Sequence, residues 1–174
     1  CYVIAGATHP DLLRREGEAY RESLVQRVSD LGIGDNVRFH DRFMGRTELL
    51  RWLEAADVFV TPYPNMEQIV SGTLAYAMGA GRAIISTPYA YAAELLAGGH
   101  GLLVPAHAPE AWASAIIGLL DNDAHRAKLG SKAYQKSRGM VWSRVAEQYS
   151  ALLNRVATPG ASPPALLPLA AVSA

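Results

Sequence analysis

The residue types best suited to chemistry fall in one stretch, Pro62-Tyr63-Pro64-Asn65-Met66-Glu67-Gln68-Ile69-Val70-Ser71-Gly72-Thr73-Leu74, which joins an apolar run to a helical pattern. The prolines fix the approach, and Ser71, Gly72 and Thr73 place small side chains where the helix begins. The first N–H groups of a helix have no intrahelical partner and sit at the positive end of its dipole, so such a start suits an anion, phosphate in particular. The hydroxyls of Ser71 and Thr73 can add hydrogen bonds. The same residues also read as an ordinary serine N-cap followed by a glycine for close packing, and the stretch is neither a P-loop nor a full dinucleotide fingerprint. Glu67 precedes the helix and points toward the same region. A carboxylate there can accept hydrogen bonds from sugar hydroxyls or simply interact with the dipole, and Gln68 can act similarly without charge.

Other candidates are scattered. His9, in Ala7-Thr8-His9-Pro10, follows an apolar run and either faces a cleft or serves only its own turn. Glu94 follows Thr87-Pro88-Tyr89 on a helical pattern and reads as a cleft carboxylate or a solvated one. Tyr89 and Tyr91 either stack on a ligand or pack. His100, His107 and His125 show no metal-ligand spacing, so no metal site is expected. Trp52, Trp112 and Trp142 fall on amphipathic stretches as core or interface anchors. No Ser-His-Asp or Cys-His order stands out.

The elements that must position these residues alternate. Apolar runs at Tyr2–Ala5, Asn36–His40, Val58–Thr61, Ala83–Ser86 and Gly101–Val104 read as buried strands. Between and after them, helical patterns cover Asp11–Leu31, a segment capped by Thr47, Ser71–Ala80, Tyr89–Ala97, Pro109–Leu120, Asp123–Ser137 and Trp142–Val156. Short strands separated by helices predict an α/β fold, with a Rossmann-like parallel sheet flanked by helices. The expected organisation is one domain over 1–157 and a disordered Ala/Pro-rich tail over 158–174, where there are four prolines and no charge.

Composition narrows the class. The chain has 174 residues, half of them hydrophobic, and carries 16 Lys plus Arg against 16 Asp plus Glu. Zero net charge offers no general attraction to nucleic acid or an anionic membrane. One cysteine, Cys1, excludes a disulfide framework and a multi-cysteine zinc site. No basic leader opens the chain and no run is long enough to span a membrane, so a soluble cytoplasmic domain is the default expectation. The sequence starts on a strand pattern without an initiator Met, which leads us to expect a fragment.

Taken together, the motifs resemble a known family. Gly32-Ile33-Gly34-Asp35-Asn36-Val37-Arg38-Phe39, Ala55-Ala56-Asp57-Val58-Phe59-Val60-Thr61-Pro62, Glu67, Ala77-Met78-Gly79-Ala80-Gly81 and Glu94 followed by Gly101-Leu102-Leu103-Val104 occur in the order and spacing of the C-terminal, donor-binding domain of retaining GT-B glycosyltransferases. Val141-Trp142-Ser143-Arg144-Val145-Ala146-Glu147-Gln148-Tyr149 resembles that family's terminal tryptophan-containing helix. Gly6-Ala7-Thr8-His9-Pro10 and the run from Glu67 to Leu74 look like a bacterial branch, group 1 or family 4 in type.

The resemblance implies one half of a GT-B fold. It also implies an enzyme that transfers a sugar from a nucleotide-diphosphate donor to an acceptor hydroxyl with retention. The nucleotide sugar is then a substrate, and neither a cofactor nor a metal is expected. Amides around Gly72, Thr73 and Leu74 would hold the diphosphate. Glu67 would take the catalytic role at the donor sugar, and Phe43 and Met44, within the segment from His40, would lie near the nucleobase. Ser71, Gln68 and His9 complete the expected donor contacts.

One departure is plain. Eight residues after Glu67, where the family places a second glutamate for the ribose, stands Ala75, and Tyr76 is the neighbouring hydroxyl that can substitute. The family's Gly-x-Pro appears as Gly81-Arg82-Ala83. The strand–helix unit bearing an Arg and a Lys, and the N-terminal acceptor-binding domain, would precede Cys1. The acceptor is therefore not readable, peripheral membrane association would come only through that other domain, and the chain alone is expected to be inactive. A non-catalytic sugar-nucleotide-binding module or an epimerase of the same fold is the alternative. A pyridoxal-phosphate phosphorylase is disfavoured because the three lysines, Lys128, Lys132 and Lys136, all lie in one late helical pattern.

Overall fold

The structure, a computed structural model, describes residues 1–157. The tail expected over 158–174 lies outside the described residues. Chain contacts divide the protein into two compact units, Cys1–Trp52 and Leu53 onward.

The first unit holds β1 (Tyr2–Ala5), α1 (Pro10–Glu16), α2 (Ala19–Asp30), β2 (Val37–His40) and the start of α3 (Arg46–Ala55). β1 and β2 pair in parallel, Tyr2 opposite Val37 through Ala5 opposite His40. The helical pattern expected as one element over Asp11–Leu31 is two helices. Gly17 takes φ +63°, outside the helical region, and its N–H closes onto the Leu13 carbonyl at 3.0 Å. Thr47 does not cap α3: the helix starts one residue earlier, and the Leu49 N–H reaches the Gly45 carbonyl at 3.0 Å.

The second unit follows β3 (Val58–Thr61), α4 (Gly72–Gly79), β4 (Ala83–Ser86), α5 (Ala90–Leu96), β5 (Leu102–Leu103), α6 (Pro109–Leu120), α7 (Asp123–Ser137) and α8 (Trp142–Ala157), with a 3-10 turn at Arg138–Met140. The strands form a parallel sheet in the order β3-β4-β5, Thr61 opposite Ser86 and Ser86 opposite Leu103. The α/β class with parallel strands and flanking helices is thus present, but the pairing forms two ladders instead of one sheet.

The core of this unit centres on β4, whose four residues are all buried. Ala83 and Ile85 share one face with Val104, Leu119 and Leu129, and Trp112 and Ile116 of α6 pack around them. Ile84 and Ser86 point the other way and are fully enclosed as well, so β4 is covered on both faces, as a central parallel strand must be. Each such buried aliphatic side chain contributes about 1.5–3 kcal/mol. Gly130 lets α7 meet the turn before β4, since a Cβ there would stand 2.3 Å from the Gly81 carbonyl oxygen. Among the tryptophans, Trp112 is an anchor that donates from Nε1 to the Pro105 carbonyl at 2.8 Å, whereas Trp142 is 86% exposed. No helix among the described residues is long and apolar enough to cross a membrane.

Candidate functional site

The connection from β3 to α4 is built as a shelf beyond the carboxyl end of the sheet, the usual ligand position in open parallel folds. Pro62 and Pro64 end the strand because neither can donate a ladder hydrogen bond. Asn65 then turns the chain, its Oδ1 accepting from the Glu67 N–H at 3.0 Å. The segment is fastened from the neighbouring β4–α5 corner. Ala90 N–H donates to the Met66 carbonyl at 2.9 Å and Tyr91 N–H to the Gln68 carbonyl at 3.3 Å. Glu67 sits between these two anchored carbonyls. Its side chain is exposed and has neither a hydrogen-bond nor an ion-pair partner among the described residues.

Gln68 behaves differently. It is half-buried, and its Nε2 donates to the Val70 carbonyl at 2.9 Å, which commits the amide to its own loop. Ser71 is the N-cap, in extended conformation with φ −151° and ψ 104°. Its Oγ accepts from the Leu74 N–H at 3.3 Å and lies 3.3 Å from Thr73 Oγ1, while its carbonyl accepts from the Ala75 N–H at 3.2 Å. The cap therefore consumes the Leu74 amide. The Gly72 and Thr73 N–H groups are the first-turn donors left without an acceptor among the described residues. Leu74, Ala77 and Met78 turn into the core. Tyr76 is 40% exposed and, three and four residues on from Thr73 and Gly72, lies on their side of the helix.

The structure thus brings Glu67, Gln68, Ser71, Gly72, Thr73, Leu74 and Tyr76 into one continuous segment of the second unit. The other three candidates belong to the first unit. His9 caps α1, its Nδ1 accepting from the Asp11 N–H at 3.2 Å. Phe43, after β2, is 84% exposed and Met44 is half-buried. Arg82, the middle residue of Gly81-Arg82-Ala83, serves the fold. Its guanidinium donates to the Glu54 and Ala56 carbonyls at 3.3 and 3.0 Å, at the end of α3. No group of three or more His, Cys, Asp or Glu among the described residues is arranged to hold a metal ion.

Sequence reasoning singled out Tyr89 and Tyr91 but missed how the β4–α5 corner meets the loop. Thr87 is fully buried and its Oγ1 donates to the Tyr63 carbonyl at 2.7 Å. Tyr89, also fully buried, meets Tyr63 edge-on with ring centroids 5.2 Å apart. Burial, and then Tyr89 and Glu94, push the Tyr91 hydroxyl above its usual value, so all three belong to one neighbourhood. The only local signal for Thr87 was Pro88 between a strand and a helix.

Comparison with known proteins decides the family. The model of the glycosyl transferases group 1 family matches residues 2–122. The chain belongs to that family. D-inositol 3-phosphate glycosyltransferase from Kineococcus radiotolerans is 32% identical over 161 residues, which make up 84% of this chain and 36% of the relative. This chain thus spans about a third of that relative. Among solved structures, sucrose-phosphate synthase from Thermosynechococcus elongatus aligns with a TM-score of 0.73 at 24% identity, covering 88% of this chain and 38% of the synthase. Anabaena HepE, solved in complex with UDP-glucose, aligns with a TM-score of 0.69 at 20% identity, covering 86% of this chain and 40% of HepE. At these identities the structural likeness establishes the fold.

Proposed function

We propose that this group 1 chain is the donor-binding part of a glycosyltransferase that moves a sugar from a nucleotide diphosphate to an acceptor hydroxyl, with retention at the anomeric carbon. The observation that carries the reading is the pairing of an exposed carboxylate, Glu67, with two amides, Gly72 and Thr73, at the start of α4, all three without a partner among the described residues. Departure of a nucleoside diphosphate develops negative charge, which preorganised N–H donors at a helix start stabilise without reorganising. Glu67 receives the donor sugar's hydroxyls, and Tyr76, next to the Ala75 that stands at the family's second glutamate position, offers a hydroxyl to the ribose. The nucleotide sugar is the substrate in this scheme, with no separate cofactor or metal, in a cytoplasmic protein.

The UDP-glucose complex of HepE supports the donor class, and the name of the Kineococcus relative supports glycosyl transfer. The matched part of this chain spans 36% of the Kineococcus relative, so on this reading transfer also needs an acceptor-binding domain, and the 174-residue chain alone is expected to give no turnover. The test is donor screening of the complete polypeptide with UDP- and GDP-hexoses, following release of the free diphosphate. Turnover is expected, and Glu67→Gln is expected to lower kcat/KM about 10²-fold, the size of a sugar-hydroxyl contact that strengthens in the transition state. Its folding stability should stay within about 0.5 kcal/mol, as for a surface position. Failure to bind or turn over any sugar nucleotide would sink the proposal. Ala75 at the second glutamate position favours one alternative, a binding module without catalysis. That reading predicts diphosphate binding with no turnover across an acceptor panel.

A further inference from the structure

We infer that Thr87 is a positioning residue for Glu67, acting through a clamp that the β4–α5 corner places on the Glu67 loop. The inference rests on the donor-binding reading above and deepens it. Four contacts make the clamp, and they bracket Glu67 on both sides. Upstream, Thr87 Oγ1 donates to the Tyr63 carbonyl at 2.7 Å, and the Tyr63 ring rests edge-on against Tyr89. Around Glu67 itself, the Ala90 and Tyr91 amides hold the Met66 and Gln68 carbonyls.

These amides open α5, a position where backbone donors commonly face solvent or a ligand. Here they are spent on main-chain carbonyls of the loop instead. The corner is also rigid. Thr87 and Tyr89 are fully buried, and the Thr87 N–H continues the strand pairing by donating to the Thr61 carbonyl at 3.3 Å. Ser86 adds a bond from Oγ to the Thr87 carbonyl at 2.8 Å. Glu67 has no side-chain partner of its own among the described residues, so the direction of its carboxylate depends on how firmly its two flanking carbonyls are held. Of these contacts, the Thr87 hydroxyl bond alone can be removed by a side-chain change of nearly equal volume, Thr87→Val.

The test uses the complete polypeptide, the UDP- or GDP-hexose it turns over fastest, and the matching diphosphate. Thr87→Val should lower kcat about tenfold, the worth of one buried hydrogen bond, while affinity for the diphosphate alone changes less than about twofold. Thr87→Ser, which keeps the donor, should restore kcat. In a Glu67→Gln background Thr87→Val should have no further effect on kcat, because the two changes act through one group. A residue that merely supports the fold would lower diphosphate affinity and kcat together and would add to Glu67→Gln. Either result overturns the inference, as does an unchanged kcat.

If Thr87→Val does not fold, hydrogen exchange on the unsubstituted protein decides. Exchange at the Ala90 and Tyr91 amides should slow with bound nucleotide sugar and not with the diphosphate alone. Equal slowing by both, or by neither, overturns the clamp. Failure of the unsubstituted protein to bind or turn over any sugar nucleotide overturns the donor-binding reading instead, and so the two failures are distinct.

Discussion

The two units use the same alternation of short parallel strands and helices, yet they close in opposite ways. From Leu53 onward, a strand buried on both faces gathers aliphatic side chains from two helices, α6 and α7. In Cys1–Trp52 no residue reaches full burial, and Tyr2, Leu13, Tyr20 and Leu31 keep large apolar areas in solvent. Polar links also order that unit. Thr8 Oγ1 donates to Glu18 at 2.5 Å, Glu18 accepts from Arg21 Nε at 3.0 Å, and Arg21 continues to Asp41. A second set joins Arg42 to Glu48, with His40 Nε2 3.4 Å away and the His40 ring tilted against Trp52. Exposed ion pairs are worth about 0–1 kcal/mol each, well below a buried isoleucine. The comparison teaches that the candidate shelf at Glu67–Tyr76 is carried by the unit with the closed apolar core.

Substitutions can break that contrast. The largest effect is expected for Ile85→Ala, which empties the centre of the second core and should cost about 4 kcal/mol by denaturant unfolding. Ile4→Ala on half-buried β1 should cost about 1 kcal/mol, and equal losses at the two sites would erase the distinction. Gly130→Ala comes next, at about 3 kcal/mol, because its Cβ would meet a backbone carbonyl that cannot rotate away. A cost under about 0.5 kcal/mol would show that α7 is not packed as closely as described.

The smallest effect is electrostatic and confined to the first unit. The Thr8 hydroxyl, then the hydrogen bond and charge of Arg21, hold the Glu18 carboxyl below its usual value of 4.5. A depressed carboxylate contributes fully above its unfolded value and loses that contribution as pH falls through its folded one. The difference in melting midpoint between the unsubstituted chain and Glu18→Gln should therefore be constant above about pH 4.5 and shrink below it. A gap that widens on acidification would contradict the pairing.

The elements legible in the sequence were those whose cause is local. Val58–Thr61 and Ala83–Ser86 have the strand bounds expected from β-branched runs stopped by proline or polar residues, and Ser71 caps α4 as its type suggests. The break at Gly17 was hidden because a glycine is tolerated within a helical pattern, and its positive φ is set by the turn onto Leu13. Within the site, Glu67 and Ser71–Thr73 could be picked out from chemistry at adjacent positions. Thr87 could not, since its partner Tyr63 lies 24 residues away and only the parallel register of β3 and β4 brings the two loops together. For Trp142, read as a core or interface anchor, 86% exposure removes the core alternative, since amphipathic spacing identifies a face without saying what covers it.

The helices that end the described chain also change how zero net charge is understood. Residues 123–157, covering α7, the 3-10 turn and α8, contain seven Lys or Arg and two Asp or Glu, a local charge of +5. With no charged residue after 157, the first 122 residues must then sum to −5. The neutrality is a cancellation between a cationic C-terminal stretch and an acidic remainder, so the molecule can adhere to surfaces of either sign at the pH where its average charge vanishes.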